Sequence, residues 1–542
     1  MKIFLTASSD TYITNKIIDA NTRVHDANVG RAAVLDLFKL YDETNLPADE
    51  KKSGTMGDFN LDTDGDLEPD TAIELSRILI KFNLGKINEL TGSKLNLNSS
   101  NFSAKLKLFD IRTGHAVPSN FTVMAIPLSQ AFDEGTGRDL SSFNDIDAAN
   151  FQTASYSAGA DNKWYASGAN SSGTLGATSV DLVDAADFKD GAGTRLLVYS
   201  QLFDQGDEDF SVDVTPFVSA SIAGIIKNHG FRISFTGSHE TDKKTRFIKR
   251  FASRHVSNPL LRPRIECSFD DSIQDHHENF FFDMSGSLFL NSFDRNGPAN
   301  LLSGTAGTVA KISGNNCLKL KLVHKDFTET IFASQHKAGT IKADGTRFTT
   351  GVYSASFMLQ SQDSSLVKNT DNTSLAKLIA KENKVKFEQY WVSLDETYGY
   401  HTGSITISRI NRKSGDFISN DPVINAINLE QEYRKEDEVK VRVFGRDIQN
   451  ENDAPVKVPY SRKSVVFDKV YYRVKDADSN KVVVDFGEND SSTRLSTDSD
   501  GMFFDFHMDI LPVGRTYTFE YLIVDRNVRK IVGDRNAAFR VK

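Results

Sequence analysis

The stretch Ser211–Asp271, SVDVTPFVSASIAGIIKNHGFRISFTGSHETDKKTRFIKRFASRHVSNPLLRPRIECSFDD, decides the fold of the first half of the chain. After the turn at His229-Gly230, apolar and polar residues alternate over Phe231–Phe235, which is the period of a half-buried strand. The period returns over Arg262–Phe269, where Pro263 stands at the start of the strand, a position that tolerates proline. Two such strands in close succession predict the closing half of an antiparallel sandwich.

Short motifs in this stretch resemble a known family. DVTPFVSASIAG, NHGFRISF, FASRH and RPRIE follow the order of a DNRLRE-type domain, a β-sandwich whose pattern is D-V-T, a helical turn, N-x-G-F, S-R and R-P-x-L-x-V. Upstream, Asp10-Thr-Tyr-Ile13, Asn28-Val-Gly30, LSRILIKF and AKLKLF match the first half of the pattern, and Phe132-Asp-Glu134 stands where the family has W-x-E. The resemblance covers roughly residues 1–270 and implies one β-sandwich domain there.

The combination LSRILIKF, NFTVMAIPLSQAFDEGTGRDL and RPRIECSFDDSIQD is similar to a variant of this domain in large virion structural proteins of tailed bacteriophages. That resemblance implies a non-enzymatic role in the neck, tail or baseplate of a virion assembled in the host cytoplasm. The implied partners are other virion proteins and further copies of the same chain, arranged as a ring or sleeve. Neither a nucleic acid nor a membrane is an expected partner.

Composition limits the classes that remain. The 542 residues predict three or four domains, and the net charge of −9 is spread over both signs. The basic run KKTRFIKR is interrupted by Phe247 and Ile248, which predicts a solvated strand face rather than a phosphate-binding patch. Cys267 and Cys317 have no metal-site spacing and are expected to be free thiols. No run of apolar residues is long enough for a signal peptide or a membrane span.

The rest of the chain predicts two further β-domains, at residues 271–459 and 460–542. The first has alternating strands, including Val439–Phe444, and suits a jelly-roll or lectin-like sandwich. It also contains a short amphipathic helix with Leu375, Leu378 and Ile379 on one face. The second resembles immunoglobulin and fibronectin III domains, because Leu511-Pro-Val-Gly-Arg-Thr-Tyr517 is similar to their tyrosine corner. The fold class is therefore all-β, with tandem antiparallel sandwiches and short helices in the connections.

One loop has the composition of a calcium site. Asp62, Asp64, Asp66 and Asp70 surround Gly65, and carboxylates two residues apart around a tight turn can converge on one hard cation. The glycine and the twelfth position do not fit the EF-hand pattern, so a solvated turn is the alternative. Calcium is the only cofactor that the sequence suggests.

Three aromatic residues give the chain an alternative function. Trp164 and Tyr165 lie in a long polar loop and Trp391 lies in a predicted strand, and such rings can stack on sugars or anchor an interface. The alternative is thus a glycan-binding host-recognition protein, unless Trp164 only pins its loop. His276, His277 and Glu278 invite a zinc reading, but adjacent residues on an extended chain diverge, which favours a linker. No catalytic motif occurs, so we expect no enzyme.

Overall fold

The computed structural model describes residues 1–18, 22–41, 73–91, 94–112, 118–157, 159–190, 193–236, 238–242, 247–304, 309–340, 346–368, 372–409, 422–447, 464–525 and 528–542. The chain forms two compact units. The N-terminal unit contains Phe4–Lys86 and Ser103–Cys267, and the C-terminal unit contains Met1–Ile3, Ile87–Phe102 and Ser268–Lys542. The N-terminal unit thus covers most of the predicted first domain, but Ile87–Phe102 belongs to the other unit.

Strands are the main regular elements among the described residues of the first half of the chain. Its strands are β1 Lys2–Thr14, β2 Ile17–Ile18, β3 Thr22–Arg23, β4 Val34–Tyr41, β5 Ile73–Phe82, β6 Ser103–Leu108, β7 Phe121–Pro127, β8 Thr153–Ser157, β9 Ala160–Lys163, β10 Ser172–Thr174, β11 Leu182–Asp190, β12 Gly193–Leu196, β13 Tyr199–Phe203, β14 Phe210–Asp213, β15 Phe231–Phe235, β16 Ile248–Ala252 and β17 Arg264–Ser268. The helices are α1 Gly85–Leu90, α2 Thr215–Ile222 and α3 Ser238–Thr241, with a 3-10 turn at Pro259–Leu261.

The main sheet of the N-terminal unit wraps back on itself. Its order is β13-β7-β15-β5-β1-β17-β6-β14, with β4 joining β5 to β16. The two ends of this order are consecutive in sequence. Gln201 in β13 hydrogen-bonds the Asp209 carbonyl and the Ser211 amide at the start of β14, over 2.8 and 2.5 Å. This side-chain bridge connects the two ends of the sheet in the β-sandwich, and α2 is the helix after D-V-T.

Phenylalanine rings fill the interior of this sandwich. Phe121 and Phe203 stack with centroids 4.9 Å apart, and Phe210 and Phe251 extend the cluster. Each ring removes a large apolar area from water, and offset or edge-on aromatic pairs add to that burial. Several of the many phenylalanines in the sequence therefore form the hydrophobic core of this sandwich.

The second module, which we call the barrel module, is built on a single sheet. Its strands are β18 Gly286–Asn291, β19 Phe293–Asp294, β20 Gly297–Pro298, β21 Leu318–His324, β22 Phe327–Thr340, β23 Thr346–Phe357, β24 Leu366–Lys368, β25 Thr373–Ser374, β26 Lys384–Val392 and β27 Gly399–Ser408, and its helix is α4 Leu375–Glu382. The sheet order is β18-β23-β22-β21-β26-β27. Phe280–Phe282, just before β18, bridge onto β27, which brings the two ends of the sheet together. Helix α4 buries Leu375, Leu378 and Ile379 in the same core, as predicted.

The third module, the Ig-like module, has two facing sheets. Its strands are β28 Pro422–Ala426, β29 Glu432–Tyr433, β30 Glu438–Asp447, β31 Lys469–Asp476, β32 Val482–Val484, β33 Ser496–Asp498, β34 Gly501–His507, β35 Thr516–Asp525 and β36 Val528–Val541, with a 3-10 turn at Met508–Ile510. The sheets are β28-β30-β34-β33 and β29-β36-β35-β31-β32. Tyr472 and Phe504 stack between them at 4.3 Å. Tyr517 is buried and its hydroxyl donates to the Pro512 carbonyl over 2.7 Å, the bond of a tyrosine corner.

One predicted boundary is wrong. The Val439–Phe444 strand was assigned to the domain ending at residue 459, but it lies in β30, which pairs with β34 of the Ig-like module. This module therefore starts by β28 rather than at residue 460. The alternation of apolar and polar residues identifies a strand but does not show which strand it pairs with. The module of this strand could therefore not be predicted from the sequence. Cys267 and Cys317 are free thiols, as expected.

Candidate functional site

Residues from four separate motifs meet in one polar network of the N-terminal unit, which we call the motif network. Its members are Asp10, Asn28, Glu134 and Arg254, and they come from D-T-Y-I, N-V-G, F-D-E and S-R. The Asp10 amide donates to Glu134 Oε1 over 3.0 Å, and the Arg254 amide donates to Asp10 Oδ2 over 2.6 Å. The Arg254 guanidinium forks onto both oxygens of Glu134. Four residues that belong to separate sequence motifs thus form one contiguous cluster in the structure.

Asn28 ties the loop of Glu134 into this network. Its Nδ2 donates to the Glu134 carbonyl over 2.9 Å and to the Ala149 carbonyl over 2.8 Å. Its Oδ1 accepts from the amides of Gly30 and Gly137 over 3.2 and 2.9 Å. A Cβ at Gly30 would lie 1.8 Å from the Glu134 carbonyl oxygen, so only glycine permits this approach. The glycine of N-V-G is therefore required by packing.

Within the motif network, Asp10 has a carboxylate oxygen that lacks a hydrogen-bond partner. Its side chain is 1% exposed, and its Oδ1 has no hydrogen-bond partner. The pKa of Asp10 is raised to about 7, chiefly by burial and to a smaller extent by the nearby charge of Glu134, while the amide and charge of Arg254 oppose the shift. Glu134 also raises the pKa of Arg254, chiefly through the hydrogen bonds that it accepts from the guanidinium. Near neutral pH the Asp10 carboxyl is therefore about half-protonated, beside a charged Arg254 guanidinium.

The same cluster offers a possible donor set for a metal ion. Asp10, Glu134 and His255 each place one ligand atom within 4.8 Å of the others, and two carboxylates with an imidazole suit zinc. Glu134 Oε1, however, already accepts hydrogen bonds from the Asp10 amide and from Arg254. A cation there would also face the Arg254 guanidinium. The geometry favours a structural brace between loops and strands.

A second buried network fixes the long polar loop, and sequence analysis missed it. Arg77 in β5 pairs with Glu240 over 2.9 Å and donates to the Gly168 carbonyl over 2.7 Å. Arg232 in β15 donates to the Ala169 carbonyl over 3.0 Å, and burial lowers its pKa to about 9. The signal was an arginine inside each apolar strand, in LSRILIKF and GFRISF. Such a residue must find acceptors inside the fold.

The aromatic residues predicted to stack on sugars are mostly inaccessible. Trp164 lies in a core with its Nε1 donating to the Asn150 carbonyl over 3.0 Å, so it pins the loop to its own sandwich. Trp391 is fully buried in the barrel module. These positions correct the expectation that either indole is available for stacking. Tyr165 is 58% exposed and remains a candidate contact. The proposed calcium ligands Asp62, Asp64, Asp66 and Asp70 lie outside the described residues.

Two segments with charged or ionisable residues, around Lys249 and His277, are more buried than their sequences suggest. Lys249, from the basic run expected to be solvated, is buried and pairs with Asp110 over 2.6 Å, because β16 turns that side chain inward. His277 lies between Asp275, with Nδ1 2.6 Å from Oδ1, and Gln389 of β26. The segment around His277 is therefore a bonded linker inside the C-terminal unit, and adjacent His276 turns to Ser287 instead.

A large cleft opens in the C-terminal unit, and we call it the C-terminal cleft. It encloses about 830 Å³. Its walls come from the hairpin β19–β20, from β22 and β23, from the segments 94–101 and 269–275, and from β30, β33 and β34. The main chain of Thr497 joins the linker to β33, since its amide donates to the Ile273 carbonyl over 2.8 Å. Volumes of roughly 300–1,000 Å³ are typical of small-molecule sites.

Comparison with known proteins gives no assignment. No family model matches the chain, and no curated protein matches it. Among solved structures, the D00-D0 domain of intimin is similar at 9% identity and a TM-score of 0.14, covering 47% of this chain and 99% of that one. Trypsin-activated alpha-2-macroglobulin from Escherichia coli is similar at 10% identity and a TM-score of 0.15, covering 85% of this chain and 25% of that one. At these TM-scores the likeness carries no argument on function.

Proposed function

We propose that this chain is a non-enzymatic structural component of a tailed-bacteriophage virion. Its β-sandwich surfaces pack against neighbouring virion proteins and against further copies of the chain in a ring or sleeve. The particle is assembled in the host cytoplasm, and the position is the neck, tail or baseplate. The sequence resemblance over residues 1–270 supplies the class of protein.

The motif network is the observation that carries this proposal. The residues that define the resemblance are used to hold loops to strands: Asn28 has all of its amide groups bonded within the fold, and Glu134 is held by Arg254. Motif residues that fix loops to strands in this way suit a protein that functions by presenting a rigid surface. Bidentate arginine–carboxylate pairs give geometric fixation of that kind.

An exposed apolar patch on the barrel module offers a packing surface. The segment around Leu302 meets the β26–β27 hairpin there, since Tyr400 at the start of β27 donates its hydroxyl to the Leu302 carbonyl over 3.0 Å. Leu302 on that segment and Leu394 and Tyr398 in the hairpin loop are all exposed. Grouped exposed apolar side chains mark interaction sites more often than isolated ones do. A second copy of the chain is the proposed occupant, because a ring buries the same surfaces in every subunit.

Sedimentation velocity of the full chain over a range of concentrations tests this proposal. We expect a discrete oligomer for the native chain. The double variant Leu302→Asp, Leu394→Asp should shift the population to the monomer, because it places two charges in the interface. Ile531→Asp, in an exposed position of β36, is the control and should leave the oligomer intact. A monomer at all concentrations would count against the ring or sleeve.

The glycan-recognition alternative loses two of its three predicted stacking residues, because Trp164 and Trp391 are buried. Any sugar site on this chain must use other aromatic side chains.

A further inference from the structure

The C-terminal cleft has walls in which the negative charges are already paired. Asp275 bonds His277, Asp498 pairs with Arg442 over 2.6 Å, and Asp505 pairs with Lys94 over 2.9 Å. Asp270 accepts from the amide and the hydroxyl of Ser272. Carboxylates held in this way remain good hydrogen-bond acceptors without attracting a cation strongly.

Other ionisable groups of the cleft include a histidine and two lysines. Burial lowers the pKa of His336, so its imidazole is neutral at pH 7. Lys440 and Lys337 also line the cleft, and Lys440 Nζ lies 3.9 Å from the centre of the Phe503 ring. Hydroxyl and amide side chains make up much of the remaining lining, among them Asn96, Asn101, Asn291 and Thr350. The lining therefore places uncharged polar side chains and charges of both signs within a larger apolar surface.

An exposed ring projects at this cleft. Phe293 lies in the hairpin β19–β20, lines the cleft and is 69% exposed. The hairpin is held at its base, because the Ser292 amide donates to the Gly351 carbonyl over 2.7 Å. Gly351 has a φ of 72°, and a Cβ there would lie 2.5 Å from the Ser292 carbonyl oxygen. The ring is thus presented from a fixed backbone, which lowers the entropy lost on binding.

We propose that the C-terminal cleft binds a neutral oligosaccharide, with Phe293 as the stacking surface for one sugar ring. A pyranose has an apolar face that suits an aromatic ring, and hydroxyl groups that both donate and accept hydrogen bonds. The paired carboxylates and the side-chain amides supply acceptors and donors for these hydroxyl groups, and the apolar part of the lining suits the faces of the sugar rings. This inference does not depend on the role in a virion.

Binding of neutral trisaccharides to the full chain, measured by isothermal titration calorimetry, tests the inference. The probes are trisaccharides of glucose, mannose, galactose and N-acetylglucosamine, with sialylated and sulfated sugars beside them. We expect at least one neutral probe to bind, with an affinity that changes less than about twofold between about 50 and 500 mM sodium chloride, since screening acts on charged ligands.

Matched variants locate the site. Phe293→Ala should weaken binding about tenfold or more, the loss that corresponds to about 1.4 kcal/mol. Phe332→Ala removes a ring that is 57% exposed on β22 and does not line the cleft, and it should bind as the native chain does. Gly351→Ala, which displaces the hairpin base, should also weaken binding. The inference is overturned by no binding of any neutral probe at about 10 mM, by equal losses in the two phenylalanine variants, or by binding of the charged sugars alone.

Discussion

The Asp10 carboxyl loses its contact with water in order to hold the Arg254 amide within the motif network. It anchors the Arg254 amide through Oδ2, yet its other oxygen is buried without a donor. A buried carboxylate oxygen without a partner costs free energy, and protonation removes much of that cost. The stability of the N-terminal unit should therefore depend on the protonation of this one group.

Asp10→Asn should remove a pH dependence of stability. The folded-state pKa of about 7 lies above the ordinary value of 3.8, so the folded chain keeps a proton that the unfolded chain releases. The contribution is complete below about pH 4 and is lost as the pH rises through 7. From pH 5 to pH 8 the native chain should lose on the order of 3 kcal/mol relative to Asp10→Asn, which stays neutral.

Tryptophan fluorescence can measure this effect in one unit. Each compact unit contains one of the two tryptophans, so in a Trp391→Phe background the emission of Trp164 reports unfolding of the N-terminal unit. Asp161→Asn, at an exposed position of the same unit, is the control and should follow the native pH dependence. Parallel pH curves for the native chain and Asp10→Asn would refute the assignment.

Arg254→Met should destabilise the same unit by about 1–3 kcal/mol, because it leaves the mostly buried Glu134 carboxylate without its cation. The control is Arg112→Met. Arg112 and Asp207 form a pair in the same unit with side chains 83% and 54% exposed, so its loss should change stability by less than about 0.5 kcal/mol. Denaturant titration with the Trp164 signal compares the two, and equal effects would show that the motif network is not a brace.

At the residue scale, sequence analysis found the members of this network but not their contacts. Asp10 and Arg254 were quoted in separate motifs, and 244 positions separate them. Their meeting depends on how distant strands pair, which no local pattern encodes. The buried roles of Arg77 and Arg232 were missed for the same reason, although an arginine within an apolar strand was visible.

At the scale of strands and helices, alternation predicted most of the elements. The strands around Phe231 and Arg264, the helix with Leu375 and the corner at Tyr517 are all present. Where prediction failed, the error concerned partners or faces. Strand β30 was given to the wrong module, and Lys249 was placed on the solvent face, because burial depends on what covers a strand.

Tyr517→Phe tests the corner that orders the start of β35. Losing the bond from its hydroxyl to the Pro512 carbonyl should destabilise the Ig-like module by about 1 kcal/mol, the usual net value of a hydrogen bond. Tyr398→Phe, at an exposed hydroxyl of the same unit, should have a smaller effect. Calorimetric unfolding of the full chain compares the two. An unchanged transition in Tyr517→Phe would mean that the corner bond adds nothing to stability.

At the scale of the whole molecule, the chain is a series of antiparallel β-modules, as predicted. Three features stand out at this scale: the loops held by buried arginines, the apolar patch at Leu302 and Leu394 that we propose as a contact between copies, and the cleft beside Phe293 that we propose as a sugar site. The sequence predicted the class of architecture because period and turn residues are local. It could not predict the patch or the cleft, because each is assembled from segments far apart in the chain.

Among the described residues no helix is both long and apolar enough to span a membrane. The proposed function of this chain concerns its β-surfaces. It depends on two kinds of contact, between copies of the chain and with other virion proteins.

Cryo-electron microscopy of the purified virion that carries this chain tests the central claim most directly. We expect density for the three modules in a closed ring or sleeve at the neck, tail or baseplate, with the Leu302–Leu394 patch buried against a neighbouring subunit. A chain absent from the particle, or one located only at a free distal tip with that patch exposed to solvent, would contradict the account.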